Sequence, residues 1–453
     1  MSIPVRATLI VGLVSSVIVA GSAASAESTP QQLADSELPS LLTIYKDLHT
    51  HPELSTFEER SAAIVAKELK ATGCAVTERV GKYTRPGAGC YGVVGFMKNG
   101  DGPVVLVRSD MDALPVHEDT GAPYASNVTA KDRDGKDVPV MHACGHDVHM
   151  SCLIGTARVL AKLKDKWHGT ILFVGQPAEE TVSGARAMMR DGLYTRWPKP
   201  NYALALHDDS DVEAGKIAVI EGYSHAAADS VDVTVKGAGG HGAYPHRTKD
   251  PIVLSAEIIN AWQPIISREK NPLDPAVVTV GSIHGGTKHN IIPDEVKMQL
   301  TVRTYKPEVR QAIFTALDRV AKGCALASGF PIDRTPQVHV REDESTPATY
   351  NNPELVRRET AAMKSVLGDG NVVTKEPMMV SEDFCEYSLP DHSIPAFMFL
   401  VGAVSPEKIA DSRKPGATPL PTLHSSKFLP EADTAIRTGI IGMTTCVLDL
   451  LQK

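Results

Sequence analysis

The stretch "PVVLVRSDMDA", Pro103 to Ala113, decides the fold. Its β-branched apolar run stops at two acids, Asp110 and Asp112, so it reads as a buried strand with a charged carboxyl end. Two later stretches repeat the arrangement. "GTILFVGQPAEE" (169–180) runs into Glu179 and Glu180, and "NYALALHDD" (201–209) runs into His207. Apolar strands alternating with helical patterns predict an α/β fold around a mostly parallel sheet. In such sheets ligands bind beyond the carboxyl ends of the strands, so these three ends should meet.

Working outward, "HACGHDVHM" (142–150) precedes the apolar helix pattern "MSCLIGTARVLAKL", which puts its polar side chains at a helix N-terminus. Upstream, residues 36–73 read as helix, polar turn, helix. The second helix is predicted to open at Ser55 or Thr56 with Glu59 as capping-box partner, and to stop at Gly73. Downstream, "IPAFMFLVG" is a further strand and "TLHSSKF" carries His424 in a polar loop.

Between residues 224 and 334 the pattern changes. "SVDVTVKG", "AVVTVGSI" and "EVKMQLTVRTY" alternate like antiparallel strands, and two amphipathic helices lie among them. The order β-α-β-β-α, with a last strand at "QVHV", predicts a ferredoxin-like module inserted into the larger domain. The catalytic domain would then comprise residues 27–223 and 335–453.

Bulk properties narrow the function. The chain has 453 residues, 42% hydrophobic and 22% charged, as in a globular protein of two or three domains. A net charge of −8 offers no basic excess for nucleic acid. At the N-terminus, "MSIPVR", the apolar run "ATLIVGLVSSVIVA" and "SAASA" read as a secretory signal cut after Ala26, an uncleaved anchor being the alternative. The mature protein is expected to be periplasmic or secreted, with no membrane attachment. Its seven cysteines permit disulfides there, Cys74 with Cys90 being one pairing to test, and the odd count leaves a thiol over.

The residue types point to a metal centre. A structural zinc site needs a second ligand pair that does not follow Cys144 and His146, and a redox role needs a Cys-x-x-Cys pair that is absent. Adjacent carboxylates after a strand, Glu179 and Glu180, can divide the work of ligand and general base.

Taken in order, "RSDMDALPVHE", "HACGHDVH", "GQPAEE", "LHDD", "GGHGAYPH", "NIIPDEV" and "SEDF" resemble the amidohydrolase branch of the aminoacylase/carboxypeptidase G metallopeptidase family, which includes hippurate and auxin-conjugate hydrolases. The resemblance spans about residues 41 to 428. It implies a catalytic domain holding two divalent ions and an inserted lid or dimerisation domain, hence a homodimer or higher homo-oligomer. It implies Cys144 as bridging ligand, with His146, Glu180, His207 and His424 as the other ligands. Glu179 would be the base, and Asp112 would orient a ligand imidazole. In the module His241 would reach the reaction centre from a partner subunit, and Asn290 and Arg303 would contact the substrate carboxylate. Imidazole and thiolate donors favour zinc, with manganese, nickel and cobalt also compatible.

The expected activity is hydrolysis of N-acyl amino acids or related carboxylate-bearing amides. Carboxypeptidase or dipeptidase action on the same scaffold, metal or ligand binding without turnover, and a hydrolase using Cys144 as nucleophile are the rivals. The sequence departs from its relatives at Val148, at Cys152 one helical turn on, at Leu300 and Thr301, and in the long segment "GKYTRPGAGCYG" (81–92).

Overall fold

The computed structural model describes residues 1–5, 7–8, 28–85 and 87–452. Most of the expected signal segment lies outside the described residues. Among the described residues no helix is long and apolar enough to cross a membrane.

An eight-stranded sheet forms the centre, in the order 75–80, 92–99, 169–176, 104–110, 202–213, 396–404, 217–219, 372–374. Its middle is parallel: Val104–Asp110 pairs in that sense with Gly169–Gln176 and with Tyr202–Glu213, which pairs in turn with Ala396–Val404. The strands Val104–Asp110, Gly169–Gln176 and Ala396–Val404 are buried almost throughout, because helices cover both faces. On one face Tyr45, Val148, Ile154 and Ile440, from the helices Pro30–Thr50, His146–Lys162 and Ala432–Leu450, pack with Trp167 and with Phe173 of the sheet in the main core. On the other, Met188, Phe384 and Tyr387 pack against Leu106, Leu172 and Val174.

The inserted module has a four-stranded antiparallel sheet, in the order 276–284, 295–304, 227–236, 337–346. The helices Pro251–Pro264 and Pro307–Ala327 close a separate core around Trp262, Leu254, Met298 and Leu317. Gln337–Thr346 pairs with Ala227–Lys236, so the module's sheet continues past residue 334.

Two local expectations fail. The second helix runs Glu59–Ala71 without the capping box, because Thr56 sits at φ 72° and gives its N–H to Glu58 Oε1 at 2.8 Å. Cys74 and Cys90 are both free thiols, and Cys74 lies 3.3 Å from the Thr72 hydroxyl instead.

Candidate metal centre

The strand ends meet. Cys144 Sγ lies 3.6 Å from His207 Nε2, His146 Nε2 lies 3.9 Å from Glu180 Oε1, and His424 Nε2 lies 3.5 Å from Glu180 Oε2. The five side chains that the resemblance implies as ligands are therefore linked by short contacts into one cluster, from segments as far apart as residues 144 and 424.

Local backbone geometry brings them there. Gly145, just before the helix His146–Lys162, sits at φ 72°, and a Cβ on it would come within 2.2 Å of Asp208 Oδ2. Only glycine lets this turn approach the neighbouring strand end so closely. Ala178 and His424 also have positive φ, 52° and 67°, unusual for residues with a side chain. His424 is held there by its N–H, which donates to the Ala143 carbonyl at 2.8 Å. Asp112 is the local organiser. Its carboxylate accepts the backbone N–H groups of Glu179 and Glu180, both at 3.0 Å, and the Ser55 hydroxyl at 2.6 Å. Its Oδ1 faces His146 Nδ1 at 3.4 Å.

His207 Nδ1–H donates to the Asp208 carbonyl at 2.7 Å, which leaves the Nε2 lone pair facing the centre. Burial alone would lower the imidazole pKa values. The surrounding acids outweigh it and raise His146, beside Asp110 and Asp112, and His207, beside Asp208, each to about 9. This surplus of negative charge is what divalent cations neutralise. Both ring nitrogens of His146, Glu180 Oε1 and Asp208 Oδ2 are buried without a hydrogen-bond partner among the described residues. Buried polar atoms are rarely left so, and here the donor set suits a metal. The residues present fit a divalent ion.

Glu179 is buried, and burial followed by repulsion from Glu382, Glu180 and Asp383 pushes its carboxyl well above the usual range. The Cys144 thiol is likewise pushed up, by burial and then by Glu180 and Glu179. A thiol so placed is a poor free nucleophile, which weighs against the cysteine-hydrolase rival.

His149, and Arg108 with its acidic partners Glu382 and Asp383, were not singled out in the sequence. Asp110, His146, His149 and His207 form a second group of potential ligands, with His149 Nδ1 at 2.6 Å from Asp110 and the Asp208 N–H donating to His149 Nε2 at 2.8 Å. Fully buried Arg108 spans Asp110 at 2.6 Å, Glu382 at 2.8 Å and Asp383 at 3.1 Å. Cys152 does not join the centre, its Sγ lying 3.7 Å from the Ile436 carbonyl of the C-terminal helix.

The module's candidates are placed differently. Arg303 donates to Ser381 Oγ at 2.9 Å and lines, with Glu180, a cavity of about 1080 Å³. His241 and Asn290 are exposed, and among the described residues no hydrogen bond or ion pair joins either to the centre. Asn290 takes part through its carbonyl, which accepts Gly242 N–H at 2.8 Å. His241 Nδ1 accepts the Ala243 N–H at 3.0 Å, so the tautomer that satisfies this bond carries its proton on Nε2.

The model of peptidase family M20/M25/M40 matches residues 106–417, which include every ligand candidate except His424. The chain belongs to this family. As a member it is a metal-dependent amidohydrolase or peptidase. Thermostable carboxypeptidase 2 of Saccharolobus solfataricus is 34% identical over 416 residues, 91% of this chain and 96% of that protein. The hippurate hydrolase of Campylobacter jejuni is 35% identical over 343 residues, 75% and 83% of the two chains. Among solved structures, the YxeP protein of Bacillus subtilis, a dinuclear metal-binding peptidase of the M20 family, superposes with a TM-score of 0.71 at 28% identity, covering 92% of this chain and all of that one.

Proposed function

We propose that this M20-family chain is an exported amidohydrolase that cleaves the amide bond of N-acyl amino acids or related amides bearing a free carboxylate. The reading rests on one observation, the meeting of Cys144, His146, Glu180, His207 and His424 next to Glu179, at a cavity that Arg303 also lines. Those five side chains would hold two divalent ions, zinc first among them, with Cys144 shared. When bound, such ions supply Lewis-acid polarisation of the scissile carbonyl and acidification of water.

The chain's own groups do the rest. Glu179 takes a proton from the attacking water on its carboxylate and returns it to the nitrogen of the departing amine. Its burial among Glu382, Glu180 and Asp383 raises its proton affinity and so suits it to both transfers. Asp112 fixes the Glu179–Glu180 pair through its two backbone hydrogen bonds. Arg303 receives the substrate carboxylate, with Asn290 beside it in the assembled enzyme. His241, protonated on Nε2, donates to the carbonyl oxygen as charge develops there. Because His241 is exposed in its own chain, it acts across a homodimer interface. The N-terminal basic, apolar and small-residue segments support export to the periplasm or beyond.

A second reading, a carboxypeptidase, is favoured by the Saccharolobus relative. The test is a panel of N-acyl amino acids and of dipeptides with free N-termini, given to protein reconstituted with zinc, manganese, nickel or cobalt. Faster cleavage of the acylated members, abolished by chelation, is expected. Preference for free N-termini would favour the carboxypeptidase, and chelator-insensitive turnover would remove the metal mechanism.

A further inference from the structure

The cavity beside the centre is lined by six arginines and five acids, and several of those arginines have no carboxylate partner among the described residues. Arg85, Arg133 and Arg303 line it together with Glu180 and Tyr83. Arg85 comes from the long segment 81–92, and Arg133 from the turn between the short strands Thr129–Lys131 and Asp137–Pro139. Neither segment has a part in holding the metal ligands.

The two arginines are held by neutral groups. Arg85 Nη2 donates to the Arg133 carbonyl at 3.3 Å, and Arg133 Nη2 donates to Thr181 Oγ1, one residue beyond Glu180. Among the described residues no ion pair joins either to a carboxylate. Two of the cavity's other arginines show what satisfied ones look like, Arg186 pairing with Glu386 and Arg341 with Glu344, both at 2.6 Å, whereas Arg190, also in the lining, has no ion pair among the described residues. Asp134, next to Arg133, is exposed and pairs with neither. Desolvation and then repulsion from Arg85 lower the Arg133 pKa, against smaller opposing pulls from Asp112, Tyr83 and Glu58. The Tyr83 hydroxyl at the same wall is buried with no hydrogen-bond partner among the described residues. Two guanidinium forks and an unused phenol hydroxyl are the donors that a carboxylate or similar anion takes.

We propose that Arg85, Arg133 and Tyr83 form a subsite for a second negative group on the substrate, so that the preferred amides are dianionic. The inference rests on the proposed amidohydrolase reading and names its substrate class. One carboxylate sits at Arg303, and the other, on the amino-acid side chain or at the end of the acyl chain, sits at the Arg85–Arg133 pair.

The test compares kcat/KM for N-acetylglutamate against N-acetylglutamine, and for N-succinyl-leucine against N-butyryl-leucine, in wild type and in the Arg85→Ala/Arg133→Ala double variant. In wild type the acidic member of at least one pair should lead by about tenfold or more, the margin of a charge-assisted hydrogen bond. The pair that responds tells which part of the substrate carries the charge. In the double variant that lead should fall to parity while the neutral members keep their rates. No acidic preference in either pair, or a preference that survives the double substitution, overturns the subsite. If no N-acyl compound is cleaved the functional reading falls, and the subsite is then judged by binding alone. Glutarate should protect the wild-type protein against thermal unfolding more than butyrate does, and equally weak protection by both would overturn it.

Discussion

At the carboxyl ends of the large sheet, Asp110, Asp112, His146 and His149 are completely buried and each faces another ionisable group, whereas His241 and Asn290 of the inserted module are exposed and keep only local backbone contacts. The two regions nonetheless fold on similar terms, each around its own apolar core with a tryptophan in it. Trp167 and Trp262 are both fully buried and both donate Nε1–H to a backbone carbonyl at 3.0 Å. The difference lies in how functional groups are held. Burying charges costs several kcal/mol unless they are paired, so the strand ends form a preorganised cluster that one chain completes by itself. The module avoids that cost by leaving His241 and Asn290 at the surface, where on the proposed reading a second subunit would give them a target.

The sharpest way to break this contrast is to neutralise the base. Glu179→Gln keeps size and leaves the backbone N–H bonds to Asp112 intact, so the ligand cluster should assemble unchanged. We expect kcat to fall by about 10³–10⁴-fold, in the range of a lost general base, with metal content equal to wild type by elemental analysis. Turnover near the wild-type level would remove Glu179 from the role. Loss of metal along with activity would instead make it part of the ion-holding set.

The next effect tests the other region. His241→Ala should lower kcat by about 10²–10³-fold, the cost of one donor to a developing oxyanion, with almost no change in melting temperature because the side chain is exposed. Mixing His241→Ala protein with Glu179→Gln protein under subunit exchange should then restore activity. A mixed dimer contains one site with an intact Glu179 and an intact histidine donated from across the interface. Two inactive proteins that stay inactive after verified exchange would show that His241 serves its own chain or none.

The same contrast explains what could be read from the residues alone. Strand ends were legible because an apolar run that stops at acids or a histidine has few other uses, whereas the ligand set Cys144, His146, Glu180, His207 and His424 came from the family resemblance. His149 carried a signal that was passed over: it lies three residues after His146, hence on the same helix face. Arg108 carried another, since an arginine within a buried strand must find partners. Which partners could not be read, because Glu382 and Asp383 follow some 274 residues later and only the closed sheet brings them near. The helix start at Glu59 was misplaced because the tertiary contacts of Glu58, whose Oε1 also accepts the Ala178 N–H at 2.8 Å, outweigh the local capping pattern. The proposed role of His241 rests on the family resemblance and not on any periodicity in the chain.

The smallest predicted effect concerns a buried acid that belongs to neither functional set. Glu359, on the helix Pro353–Leu367, is fully buried with both carboxylate oxygens unpartnered, and the Arg358 guanidinium, 3.9 Å away, is engaged by Asp449 at 2.6 Å. Burial, reinforced by Asp449, pushes its carboxyl from 4.5 up to about 8. A folded-state value above the unfolded one means that the stabilising contribution is complete below about pH 4.5 and is lost as the pH rises through about 8. Glutamine imitates the protonated acid and cannot ionise. Glu359→Gln should therefore melt with the wild type at pH 5 and a few degrees above it at pH 9. An equal offset at both pH values would mean that the substitution acts through packing. If the wild type were the more stable at pH 9, the ionised carboxylate would have to find a partner that the helix layer does not offer, and the contrast between paired acids at the strand ends and this unpaired one would disappear.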